Sequence, residues 1–385
     1  MLFIGTSTVI FAQESIVEKI PSDLMDSVEI SLLTCQPHDE IYSLYGHTAI
    51  RFHDMRKKQP IDVAFNYGVF DFKKSFFILR FVFGLTDYEL GVYPYQFFSE
   101  EYRRLGCMVT EQVINLTNEE KEKLKEALYE NLRPENRTYR YNYFYNNCTT
   151  KARDIIEQSI NGKIEYTENK DVTTSYRDMV HEMTRNHPWA RWGNDFLLGF
   201  QSDFQTEPRQ QEFLPHQLMY DFDHAQIYEA GQYRPLVKNR RIAVPAGVQI
   251  VQQEFPLSPK ICGWLLAVVG IIIFCIEIKL KKTFRLWDVL IMFVTGLFGM
   301  VLTLMLFSQH PTVSMNLQII LFNPLPWLFL WSVAKNSHTP YWLITLVLSL
   351  LFMFGGIFQT YPEGIWSLAL CLLLQCYIHL QILSK

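Results

Sequence analysis

Residues 139–160 read YRYNYFYNNCTTKARDIIEQSI, and the change of period inside this stretch decides the fold. Tyr139, Tyr141, Tyr143 and Tyr145 alternate with Arg140, Asn142 and Phe144, the period-two pattern of a strand. From Ala152 through Ile155, Ile156 and Ile160 the apolar spacing is helical, with Thr149 or Thr150 able to cap the helix. Cys148 falls at or just before the helix start, where unpaired amides and the helix dipole stabilise a thiolate. A free cysteine is most often a small buried hydrophobe. Here Asn146, Asn147, Thr149 and Thr150 give it polar neighbours that suit a core plug badly.

A thiol nucleophile needs a base, and the upstream sequence supplies one. DSVEISLLTCQP (26–37) reads as a first strand and leads to EIYSLYGHTAIRFHD (40–54). In the latter, His47, Ala49, Arg51 and His53 alternate with Ile50 and Phe52, which places His47 near the beginning of a second strand. MRKKQP (55–60) reads as a hairpin turn and IDVAFNYGVFDF (61–72) as its return strand. Gly46 and Gly68 allow close approach to the backbone beside His47. The return strand brings Asn66 toward His47 as the group that would orient its ring, with His53 and Asp62 as alternatives. The aromatic stretch 76–102 has no clear period. LTNEEKEKLKEALYENL (116–132) is a scaffold helix: Thr117 and Glu120 form a capping box, Leu124, Ala127 and Leu128 a buried stripe, Glu119 and Lys123 an i, i+4 pair.

After Lys260 the composition changes. Five apolar segments, roughly 263–278, 286–307, 317–334, 341–359 and 364–382, each approach the length that crosses about 30 Å of hydrocarbon. KLKKTFR (279–285) carries four cations, and Lys335, His338 and Lys385 fall on the same side. SQHPTVSMN and TYPEG, on the other side, carry no lysine or arginine. The cationic loops are therefore expected in the cytoplasm and the first domain outside it. Residues 1–12 resemble the end of a signal peptide. The expected organisation is an exported domain over 13–235, a linker over 236–262 and a membrane domain over 263–385. FNPLPW (322–327) reads as a kinked third span, with His310 and Asn316 on the preceding external loop as a polar spot for a lipid headgroup or peptide terminus.

Other chemistries find little support. A net charge of −4 and the lack of a basic stripe argue against nucleic acid. The seven cysteines contain no CxxC pair, and there is no close-spaced metal-ligand set or glycine-rich phosphate loop, so neither a metal nor a cofactor is expected. Cys35 and Cys107 could pair as a disulfide in an exported domain.

Taken together, YGHTAIRF, FNYGVFDF and YNNCTTKARD, with the membrane tail, resemble the Lnb-type lipoprotein N-acyltransferases of Gram-negative bacteria. The resemblance implies an α+β, permuted papain-like exported domain, akin to NlpC and lecithin:retinol acyltransferase relatives, followed by an all-α transmembrane bundle of about five helices. It also implies that a membrane phospholipid donates an acyl chain to Cys148, with His47 as base. The α-amine of a diacylated lipoprotein then accepts the chain. Amides at the helix start are the expected oxyanion donors. Arg51 and Arg153 are candidates for the lipid phosphate, and Tyr45, Tyr145 and His310 for further substrate contacts. Trp189, Trp192 and the Tyr93/Tyr95 pair are candidates for an interfacial belt.

Overall fold

The computed structural model describes residues 22–56, 61–70, 76, 80, 83–166, 173–249, 251, 255–335 and 339–382. The expected signal segment and residues 57–60 of the hairpin turn lie outside them. The described residues divide into two compact units: a sheet unit drawn from 22–76, 85–166 and 206–251, and a helical unit drawn from 83–84, 173–205 and 255–382.

The sheet unit is α+β. Strands β1 (Val28–Cys35), β2 (His47–Asp54), β3 (Ile61–Val69), β4 (Asp87–Pro94), β5 (Val109–Ile114), β6 (Thr138–Arg140) and β10 (Val237–Val244) form one antiparallel sheet, in the order β10-β5-β1-β2-β3-β4-β6. Strands β7 (Lys163–Glu165), β8 (Gln226–Glu229) and β9 (Gln232–Pro235) form a second, smaller one. Alternation sorts the large sheet's side chains onto two covered faces. On one face Ile30, Leu32, Ile50, Phe52, Val63 and Phe65 pack against helices α2 (Asn118–Leu132) and α3 (Cys148–Ser159). On the other, Leu33, Cys35, Ala49 and Ala64 pack against α1 (Tyr95–Arg104) through Phe98. The capping box of α2 forms as expected, Thr117 Oγ1 accepting from the Glu120 amide and Glu120 from the Thr117 amide, and Glu119 meets Lys123 at 2.8 Å.

Two local expectations are corrected, and a third segment takes partners that its sequence did not show. The tyrosine strand ends at Arg140, because Asn142 Oδ1 accepts from the amides of Phe144 and Tyr145 and Asn142 and Asn146 bridge, turning the chain before Cys148. Residues 237–244, expected within a linker, form the edge strand β10 against β5. The segment 173–205, read with the exported domain, finds its packing partners among the apolar helices. There Gln318 Nε2 donates to the carbonyl of Asp195, Asn316 Nδ2 to that of Phe196 and Gln359 Nε2 to that of Leu198.

The helical unit holds α4 (Tyr176–Met183), α5 (Pro188–Leu197) and five apolar segments, while α6 (Pro208–Gln211) and α7 (Pro215–His224) return to the sheet unit. Among the described residues three apolar segments are long enough to cross a membrane: α8 (Pro259–Leu280), α9 (Arg285–Met305) and Leu317–Ala334. Two are shorter: α11 (Tyr341–Gly355) and α12 (Ile365–Tyr377). The third is broken rather than kinked: a 3-10 turn at Leu317–Ile320 precedes α10 (Leu325–Ala334). Asn323 bridges the break, donating to the Ile320 carbonyl at 3.0 Å and accepting from the Leu325 amide at 3.1 Å. Gly299 admits it, since a Cβ there would lie 2.2 Å from the Asn323 carbonyl carbon.

Candidate active site

The site is assembled by the start of β2, the end of β3 and the start of α3. Gly46 turns the chain into β2 with φ +80°, and a Cβ on it would lie 2.6 Å from the Cys35 carbonyl oxygen, so only glycine fits. His47 then begins β2 directly opposite Cys35. Its Nε2 is 3.1 Å from Asn66 Oδ1 on β3. That oxygen can only accept, so Nε2 carries the proton and Nδ1 is left for the thiol.

Cys148 is the first residue of α3. The cap is Asn147 rather than Thr149 or Thr150: its Oδ1 accepts from both of their amides, each at 2.9 Å, and Thr150 Oγ1 accepts from the Asn147 amide. Asn147 Nδ2 also donates to the carbonyls of Tyr143 and Phe213, at 3.0 and 2.8 Å. The Cys148 sulfur is hydrogen-bonded to His47 and to the Thr48 amide, with Thr149 Oγ1 at 3.8 Å. The Thr48 and Thr149 hydroxyls meet at 3.1 Å and tie the strand to the helix. Gly68, at φ +91°, backs the thiol: a Cβ there would lie 3.7 Å from Cys148 Cβ.

The electrostatics follow from this packing. Burial alone would raise the Cys148 pKa, but the charge and hydrogen bond of His47 outweigh it and hold the thiol below its ordinary value. Burial alone would lower His47, but Cys148 and Asn66 outweigh it and hold the imidazole above its ordinary value. The arrangement favours a thiolate–imidazolium pair, a nucleophile beside an oriented base. Glu101 of α1 adds to the field that raises His47.

The alternatives for the residue behind His47 are placed elsewhere. Asp62 is taken up by Arg51, and His53 lies six residues along β2, about 20 Å away at the usual rise per residue. Both arginines expected at a lipid phosphate are also corrected. Arg51 is buried, with Nε and Nη2 on Asp62 at 2.8 and 2.7 Å, Nη1 on Glu111 at 3.1 Å, and Tyr95 stacked 3.5 Å from it. Arg153 is buried against Glu212 at 2.9 Å and Asp154 at 2.7 Å. Their donors are spent on carboxylates of the fold. Tyr95 thus lies under Arg51 and Tyr93 is buried in β4, so that pair is core rather than belt.

Tyr45 packs edge-on against Tyr143, with centroids 4.8 Å apart, while Tyr145 is exposed. His310, Trp189 and Trp192 belong to the helical unit. The two indoles donate to the carbonyls of Leu257 and Glu363, just before α8 and α12. Cys35 and Cys107 are both free thiols. Among the described residues no group of three or more His, Cys, Asp or Glu is placed to hold a metal ion.

Sequence reading missed Asn147, Thr48 and Glu101. Asn147 carried a signal, an Asn before a helix with Thr three residues on. Thr48 and Glu101 reach the site only through tertiary packing.

These features define a class: a cysteine–histidine–asparagine site on an α+β domain, in one chain with a bundle of five apolar segments. Residues 22–183 match the family model of the Lnb N-terminal periplasmic domain, and residues 250–385 that of the Lnb transmembrane domain. The two matches together span well over half of the sequence, and the chain belongs to the Lnb family, a membrane protein with a periplasmic N-terminal domain. No curated protein and no solved structure matches it.

Proposed function

We propose that this chain takes an acyl chain from a membrane phospholipid as a thioester on Cys148. It then transfers that chain to the α-amine of the N-terminal diacylglyceryl-cysteine of lipoproteins. The observation that carries the reading is the Cys148–His47 contact at the start of α3, with Asn66 fixing the ring, in a chain of the Lnb family.

The thiolate attacks the ester carbonyl, and His47 gives a proton to the lysophospholipid that leaves. The lipoprotein amine then attacks the thioester, with His47 as the base that accepts its proton. A thioester suits this exchange because amines attack it readily where water is excluded. Asn66 keeps the imidazole in the tautomer that presents Nδ1 to sulfur.

The test is the mass of a lipoprotein's N-terminal peptide after co-expression with the wild-type chain or with Cys148→Ser. Wild type should add one acyl chain and Cys148→Ser none, with the variant still inserted in the membrane. N-acylation by Cys148→Ser would end the thiol reading. Release of free fatty acid at the same rate without an amine acceptor would make the chain a thiol hydrolase instead.

A further inference from the structure

Acyl transfer through Cys148 passes through a tetrahedral oxyanion, and the start of α3 has little left with which to stabilise it. The Thr149 and Thr150 amides are held by Asn147 Oδ1, and the Lys151 amide returns to the Asn147 carbonyl at 3.1 Å. The Thr48 amide is on the sulfur. From the first turn only the amide of Cys148 itself remains, having no intrahelical acceptor. A second donor has to come from a side chain.

Three tyrosines flank the thiol. The Tyr139 and Tyr143 hydroxyls are fully buried and lack hydrogen-bond partners among the described residues, so both are closed off from an entering acyl group. The Tyr141 hydroxyl has no hydrogen-bond partner among the described residues. Its position is nevertheless fixed: the ring stacks on Tyr88 with centroids 4.0 Å apart, and its amide donates to the Thr86 carbonyl at 3.3 Å. It borders the thiol across Gly68, where one absent Cβ would lie 3.7 Å from Cys148 Cβ and 3.9 Å from both Tyr141 Cε2 and the buried Tyr139 hydroxyl.

We propose that the Tyr141 hydroxyl is a catalytic oxyanion donor, acting with the Cys148 amide on the carbonyl oxygen of the acyl group. The inference rests on the acyl-transfer reading above. As the sulfur–carbon bond forms, the carbonyl π pair moves onto oxygen, and the phenol and the amide hold that charge. When the carbonyl re-forms, the bond to the glycerol oxygen breaks and that oxygen takes the proton of the His47 imidazolium, leaving a thioester and a lysophospholipid. Burial, and next the charge of Cys148, push the phenol's pKa well up, so it remains a donor while the thiol is ionised.

The experiment compares the full-length wild type, Tyr141→Phe and Cys148→Ser in detergent, using a p-nitrophenyl acyl ester and, separately, iodoacetamide. Phenylalanine keeps the ring on Tyr88 and removes only the hydroxyl. Acylation by the ester creates an oxyanion, whereas alkylation displaces iodide from a tetrahedral carbon and creates none. Tyr141→Phe should slow the p-nitrophenolate burst about 10²-fold, the cost of losing one oxyanion donor, and leave alkylation unchanged. A wild-type burst in Tyr141→Phe overturns the proposal. So does an equal loss in both reactions, which would make Tyr141 a support for the thiol. A full burst in Cys148→Ser would instead remove the thiol reading itself, and the Tyr141 role with it.

Discussion

Cys148 and His47 occupy positions where burial favours the neutral form of each, and their mutual contact reverses both preferences. The thiolate appears as pH rises through the Cys148 pKa, which is depressed, so that rise comes at lower pH than for an ordinary thiol. The imidazolium is lost as pH rises through the His47 pKa, which is raised. The ion pair is populated between the two. In His47→Ala burial is opposed only by the Thr48 amide and the Thr149 hydroxyl, and the midpoint of the thiol's alkylation moves up. At neutral pH iodoacetamide should modify Cys148 at least about tenfold more slowly in that variant, one pKa unit being tenfold. A rate–pH curve that coincides with wild type would detach His47 from the thiol. Asn66 was legible at this scale because the antiparallel return of β3 brings its far end back to the start of β2, where His47 lies. The arginines were not. Their partners Glu111 and Glu212 arrive from distant parts of the chain, and an arginine in a strand or helix looks the same whether it meets solvent or a buried carboxylate.

At the level of elements, one capped helix presents the nucleophile. Asn147 holds two amides at the start of α3 and two carbonyls, of Tyr143 and Phe213, so it fixes both the helix and the turn before it. Asn147→Ala should cost about 1–2 kcal/mol for the cap, and more for the carbonyls left without donors. Asn147→Asp keeps the acceptor and loses both donors, so its thermal unfolding midpoint should fall between those of wild type and alanine. Equal midpoints for all three would show that the cap contributes nothing. The same asparagine chemistry explains the shortened strand: Asn142 bonds its own downstream amides, and this local competition outweighs the β preference of the tyrosines around it.

Across the whole molecule, the segment 173–205 depends on the membrane helices. Gly199 and Phe200 donate to the carbonyls of Thr312 and Met315, and Phe196 packs in the core shared by α9 and α12. Arg177, almost fully buried, joins Asp195 at 2.8 Å and Asp203 at 2.9 Å within the segment. A chain ending at residue 249 removes every one of those outside partners and uncovers Phe196. Limited proteolysis should then cut within 173–205 in the truncated chain and spare it in the full one, the strands around Cys148 being protected in both. Equal protection of 173–205 would mean that this segment is stable without the helices.

The sequence by itself determined the period-two strands, the capped helix α2, the Cys148 helix start and the five apolar segments with their charge asymmetry. Each of these depends on residues close together in the chain, where side-chain spacing, caps and hydropathy act directly. Tertiary structure decided what depends on distant residues. It committed Arg51 and Arg153 to buried carboxylates, turned residues 237–244 into a sheet edge and set 173–205 on the membrane helices. It also brought Thr48, Thr149 and Tyr141 around one sulfur. A polar side chain is indifferent in sequence to which partner it will meet; burial leaves it only the partner that packing delivers.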